Sequence, residues 1–219
     1  MMTEQEFTAL SADLKQLSWS IPLNWGHIQN NFTDDKINMF KIHTYAELKN
    51  AIWNLKQEQK DYLKRRWFLW KCSECDEYLF YCNDNVEKNP NPYDKAYDVI
   101  INGKWKFDIK GTVIPKEYRD DVEAVIKDPT NMIRFFYDKQ STGRRYDMQN
   151  RLFIVHHSFV DSERESYLRC VWDIKRSIYK QYVNSINDSV LIDYRGVKAS
   201  VIFILEKELD KIEYSIFGL

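Results

Sequence analysis

Proline and glycine are scarce in this 219-residue chain, five and six residues respectively. That scarcity leaves no room for a Pro- or Gly-rich linker, and no internal repeat or low-complexity tract is present. Excess charge of one sign is also missing. With 32 Lys and Arg against 33 Asp and Glu, the formal net charge is −1, so no whole-molecule field draws in a polyanion. A nucleic-acid site would therefore need a local basic cleft. No apolar run approaches the ~20 residues of a membrane span. The segment Met1-Met2-Thr3-Glu4-Gln5-Glu6 lacks the apolar core of a secretory signal. Four Cys in an otherwise charged chain read as reduced thiols, so the expected location is cytoplasmic.

Apolar area, by contrast, is plentiful. Aromatics make up 15% of the chain and include seven Trp, enough for a sizeable core in one domain of ordinary length. The expected division is an N-terminal extension over 1–43, a core over 44–160 and a C-terminal elaboration over 161–219. The extension holds a short helix near 4–17. Thr44 with Glu47 three residues on reads as a capping box, opening a long helical stretch to about Cys82. Within it Phe68, Cys72, Cys75, Leu79 and Cys82 recur at helical spacing and mark one apolar face. Residues 83–95 read as a polar loop. Short helices are expected near 118–127 and 130–141, a strand at Arg151–Val155 and a helix from Glu163 to about Val183. Two closing strands, Val197–Leu205 and Lys211–Phe217, complete an α/β chain with a mixed sheet.

The most informative stretch lies between. Tyr97-Asp98-Val99-Ile100-Ile101 and Trp105-Lys106-Phe107-Asp108-Ile109-Lys110-Gly111-Thr112 flank Asn102-Gly103. Asn-Gly is the strongest short hairpin signal, because both central residues of a type I′ turn take positive φ. Asp108 and Lys110 differ by two and leave the same sheet face. Asp98, ten residues upstream, is within cross-strand reach of that pair. Two carboxylates and an ammonium thus converge at one sheet edge. Hard oxygen ligands on two strands suit Mg²⁺, which would assist hydrolysis of a phosphodiester. A lysine beside the attacking water would hold it and offset developing charge.

This run resembles the PD-(D/E)xK nuclease superfamily, the restriction endonuclease-like proteins whose core is a mixed sheet flanked by helices. Asp98 matches the first acidic motif. Asp108 and Lys110 match the (D/E)xK pair, with aspartate in place of the commoner glutamate, and Tyr97 stands where a proline often precedes the first aspartate. The specific motif covers only about residues 94–112. The resemblance implies Mg²⁺-dependent cleavage of nucleic acid, with Mn²⁺ able to substitute, and Asp98 and Asp108 as metal ligands. It also implies an acid on the first core helix to complete the site. Glu74, Asp76 and Glu77 are all candidates, and Glu77 is preferred because it lies opposite the cysteine face.

Basic residues cluster twice. Lys64-Arg65-Arg66 sits among Trp67 and Trp70. Arg134, Lys139, Arg144, Arg145 and Arg151 follow the hairpin. Gln140-Ser141-Thr142-Gly143-Arg144-Arg145 reads as a helix end with Gly at its C-cap. It would place Lys139, Gln140, Arg144 and Arg145 where arginine forks meet phosphates, and Gln140 beside the lysine or a base. The cysteines read as small buried hydrophobes rather than metal ligands. His156-His157 cannot share one ion, since adjacent strand residues point to opposite faces. The expected function is a metal-dependent phosphodiesterase, a DNA endonuclease of restriction, defence or mobile-element type, dimeric if both strands are cut. The competing reading is a catalytically idle nucleic-acid-binding or assembly module on the same fold.

Overall fold

The structure is a computed structural model that describes residues 2–21, 31–91, 94, 96–139 and 148–219. The chain divides into two compact units, Met1–Cys75 and Asp76–Leu219. The division falls within a long helix.

The first unit is helical. It comprises α1 (Glu4–Ser18), α2 (Asn31–Lys36), α3 (Tyr45–Ala51) and most of α4 (Gln57–Tyr81). Capping boxes open α1 at Thr3/Glu6 and α3 at Thr44/Glu47. The two helices are joined where Tyr45 N–H donates to the Asp13 carboxylate at 3.1 Å. Trp67 is fully buried, and its indole N–H reaches the Ile42 carbonyl at 3.1 Å. The helix expected to run unbroken from Thr44 to Cys82 is interrupted between Ala51 and Gln57. There the hydrogen bonds tighten to i→i+3, with Leu55 N–H on the Ile52 carbonyl at 3.0 Å. Neither Pro nor Gly marks this break.

The second unit is an α/β layer around a seven-stranded mixed sheet of order β1-β2-β3-β4-β6-β5, with β7 also on β6. Its strands are β1 (Val86–Lys88), β2 (Val99–Ile101), β3 (Trp105–Val113), β4 (Arg151–Ser158), β5 (Ile192–Tyr194), β6 (Val197–Glu208) and β7 (Lys211–Ile216). β1, β2 and β3 form an antiparallel meander. β3, β4 and β6 are parallel, and β5 and β7 pair antiparallel along the outer edge of β6. Asn102 and Gly103 take φ of 55° and 63°, both left-handed, within a three-residue connection, since Ile101 pairs with Trp105. β4 is buried along its whole length, as a central parallel strand must be. The remaining helices are α5 (Val122–Lys127), α6 (Thr130–Lys139), α7 (Glu165–Leu168) and α8 (Trp172–Ser185).

Helices cover both faces. In-register parallel partners share a face, so Asp108, Lys110 and Thr112 lie with Arg151, Phe153 and Val155. α5 and α6 pack there, through Val122, Val125, Ile133, Phe136 and Tyr137 against Phe153, Val155, Val201 and Phe203. The opposite face holds Ile109, Gly111, Leu152, Ile154 and His156. A Cβ at Gly111 would meet the Arg169 guanidinium at 2.8 Å, so glycine lets that arginine lie close against the sheet. Beside it Asp76 bonds Lys175 Nζ and Tyr179 Oη, each at 2.8 Å, with Asp76 and Lys175 almost wholly out of solvent. Phe80 stacks on Tyr179 with ring centroids 4.1 Å apart.

Several features go beyond or differ from the sequence expectation. β1 is a three-residue strand at a position read as loop, paired with β2, and β5 is a three-residue strand paired with β6 in a stretch given no assignment from sequence. The helix expected over 163–183 breaks at Arg169–Val171 into α7 and α8. Lys175, a charge within the buried stripe of Trp172, Ile178, Tyr179 and Tyr182, is fully buried with Asp76 as its partner. Cys72, Cys75 and Cys170 are buried and outside any disulfide, whereas Cys82 is exposed, α4 ending one residue before it.

Removing one member of a buried ion pair strands the other. Asp76→Ala should therefore destabilise the protein by about 3–5 kcal/mol in urea unfolding, and Lys175→Met added to it should recover part of the loss. A single-variant loss below about 1 kcal/mol would show that the pair is not holding the α4–α8 packing.

Candidate active site

The β2–β3 register builds the site. Val99 opposes Phe107, so one step further Asp98 opposes Asp108, and the Asp98 amide donates to the Phe107 carbonyl at 2.8 Å. Asp98 Oδ2 in turn accepts the Ile109 amide at 2.7 Å. That bond turns the Asp98 carboxylate across the strand gap toward Asp108, close enough for a hydrogen bond between the two carboxyl groups. Lys110 Nζ sits 2.5 Å from Asp108 Oδ1, with its side chain partly exposed while that of Asp108 is buried.

A fourth charge joins from the neighbouring strand. Arg151 opens β4 directly beside Asp108, and the Asp108 amide donates to the Asn150 carbonyl at 3.0 Å, fastening the two strand starts together. Arg151 Nε lies 3.5 Å from Asp108 Oδ2. That contact is electrostatic rather than a hydrogen bond, since the buried Nε has no hydrogen-bond partner. The guanidinium stacks over the Tyr137 ring, 5.0 Å from its centroid. Tyr137 Oη donates to the Gln149 carbonyl at 2.8 Å, and burial raises its phenol pKa. The cluster is two carboxylates and two cations, balanced in charge.

Burial, and after it the Asp108 carboxylate, push the Asp98 pKa up to about 6. The Ile109 amide and Lys110 only partly offset this. Such a carboxyl favours any cation, proton or metal, placed between it and its neighbour.

Among the described residues no three His, Cys, Asp or Glu side chains are grouped to hold a metal ion, so Asp98 and Asp108 stand as a pair. Of the three helix acids, Glu74 pairs with Lys71 at 2.7 Å and Glu77 lies 3.6 Å from Lys88. Asp76 lies against the Gly111 side of β3, the face opposite Lys110. Lys139 ends α6 and is exposed, as is Arg134. Gln140, Arg144 and Arg145 lie outside the described residues. Arg66, in the other basic cluster, pairs with Asp34.

Arg151 is the residue that sequence reasoning placed only within a phosphate-contacting stretch. Its position beside Asp108 depends on the β3–β4 register, and parallel pairing leaves no local signal of register in sequence. His156 and His157 point apart: His156 Nδ1 meets the Thr112 carbonyl at 3.0 Å, and His157 Nδ1 meets Glu165 Oε1 at 3.1 Å. No family model, curated protein or solved structure matches the chain.

The raised Asp98 pKa has a stability consequence. A carboxyl whose folded pKa exceeds its unfolded value favours the fold below the unfolded pKa, near 4, and loses that contribution as pH rises through about 6. Asp98→Asn keeps an oxygen to accept the Ile109 amide and removes the charge. Metal-free Asp98→Asn should melt above wild type at pH 7.5 and equal to it at pH 4. A variant that melts lower at pH 7.5 would contradict the like-charge strain.

Proposed function

We propose that this chain is a metal-dependent phosphodiesterase acting on nucleic acid, with DNA as the expected substrate, built on a restriction endonuclease-like core. The observation that carries the reading is the placement of Asp98, Asp108 and Lys110 on one sheet face, with the two carboxyl groups in hydrogen-bonding range. The element order supports it too: α4, an antiparallel meander, α6 and a parallel β4 make a mixed sheet flanked by helices, as the resemblance implies.

The donors suit a hard divalent ion. Asp98 and Asp108 offer carboxylate oxygens from two adjacent strands, and burial with mutual repulsion makes the space between them favourable to positive charge. Mg²⁺ held there would supply Lewis-acid chemistry, offsetting phosphodiester charge and making water a better nucleophile. Lys110 is the group free to change partner. Its side chain is partly exposed, so Nζ can leave Asp108 for a phosphate oxygen or the attacking water. Arg151 is fixed between the Tyr137 ring and Asp108, and its charge helps to orient the Asp108 carboxylate. In the reaction one water is consumed. Its oxygen bonds to phosphorus, the bond from phosphorus to the leaving oxygen breaks, and a proton reaches that oxygen.

Purified protein with supercoiled plasmid and Mg²⁺ or Mn²⁺ should nick or linearise it, while Ca²⁺ should support binding more readily than cleavage. Asp108→Asn and Lys110→Ala should each reduce cleavage by ~10²-fold or more with the circular dichroism spectrum unchanged. Wild-type protein that binds DNA and RNA but cuts neither would make the non-catalytic module the better reading. Protein that does neither would overturn the assignment.

A further inference from the structure

A second site lies at the other end of β4, and its argument does not depend on the nuclease reading. β3 and β4 are parallel neighbours whose following segments part company. The chain leaving β3 leads to α5 and α6, on the face of Phe153 and Val155. The chain leaving β4 leads through α7 to Arg169, against the opposite face at Gly111. Where adjacent parallel strands send their connections to opposite faces, a crevice opens at their carboxyl ends, and ligands of α/β sheets bind there. An open groove of about 540 Å³ occupies this position, lined by residues 119–123 and 157–162. Ligand sites commonly span ~300–1,000 Å³.

The floor is built. His157 is 6% exposed and lines the groove. Its Nδ1 meets Glu165 Oε1 at 3.1 Å, while Glu165 Oε2 takes Arg119 Nη2 at 2.8 Å and Arg119 Nε is anchored on the Ile114 carbonyl. A carboxylate paired with arginine only accepts, so Nδ1 must carry the hydrogen. In the neutral ring Nε2 is then the lone-pair nitrogen, and it makes no hydrogen bond among the described residues. A nearly buried imidazole, oriented through Nδ1 by Glu165, is thus part of the groove lining.

The rim defines what it would accept. Asp120 makes no hydrogen bond or ion pair among the described residues. Asp121 and Asp161 each give one oxygen to a local backbone amide and keep the other. Phe159 and Val160 expose apolar surface beside them. These acids do not group to hold a metal ion; they are spread along the groove. One cation already uses its edge: Lys207 Nζ pairs with Glu123 and stands 4.2 Å from the centre of the Phe159 ring. Phosphate would be repelled.

We propose that this groove binds an aliphatic polyamine, its ammonium groups on Asp120 and Asp161, its methylene stem along Phe159 and Val160, and one N–H on His157 Nε2. The test uses the full chain without nucleic acid. Spermidine and putrescine are titrated at fixed ionic strength, followed by calorimetry and by the ¹⁵N resonances of the histidine rings. Saturable one-to-one binding that shifts His157 Nε2 is expected. Asp120→Asn with Asp161→Asn should weaken it ~10-fold or more. Asp188→Asn with Asp193→Asn removes the same charge near Lys198, beside the start of β4, and should change nothing. Absence of saturable binding, equal weakening by both double variants, or binding that leaves the His157 resonance unmoved would each overturn the site.

Discussion

Two aspartates held face to face across an antiparallel strand pair are the constraint on which the candidate site depends. Asp98 and Asp108 oppose each other because the Asn102-Gly103 turn sets the register of β2 on β3. A slip of one residue would send either carboxylate to the other face. Like charges so placed repel, and the structure meets the repulsion with three neighbours: the Ile109 amide on Asp98, and Lys110 and Arg151 on Asp108. Ile109 and Lys110 come from β3 and Arg151 from β4, so the site is assembled only when the hairpin is formed and β4 is docked beside it.

The sheet separates two kinds of buried charge. On the face of Lys110 the charges lie at a strand end, partly open, where partners can exchange. On the Gly111 face, Asp76, Lys175 and Tyr179 form a closed network without solvent. Charges sealed in this way cost more to desolvate than their attraction returns unless every partner is present, so they specify an arrangement rather than add much stability. This difference in setting explains how similar residue types serve as a candidate chemical site on one face and as packing on the other.

Much of this was legible in the sequence, where a local rule decides the outcome. Asn102-Gly103 announces the hairpin, Asp108 and Lys110 share a face by strand parity, and Thr44 with Glu47 marks a helix start. What could not be read depends on partners remote in the chain. Val86–Lys88 becomes a strand only beside β2. Lys175 breaks the apolar pattern of α8, and Arg151 reaches Asp108 through a parallel register no turn encodes. Cys82 fits the helical period of Cys72 and Cys75 but lies beyond the helix end. Among Glu74, Asp76 and Glu77, phase alone could not show that Asp76 is the buried one.

The central claim is that the opposed carboxylates form a cation site rather than an incidental ion-pair cluster. Anomalous diffraction from crystals soaked in Mn²⁺, with Asp98→Asn/Asp108→Asn crystals as control, tests it most directly. The account expects an anomalous peak adjacent to both carboxylates in the wild type and none in the double variant. Manganese elsewhere on the protein, with Lys110 and Arg151 still on Asp108 and no peak beside the pair, would contradict it.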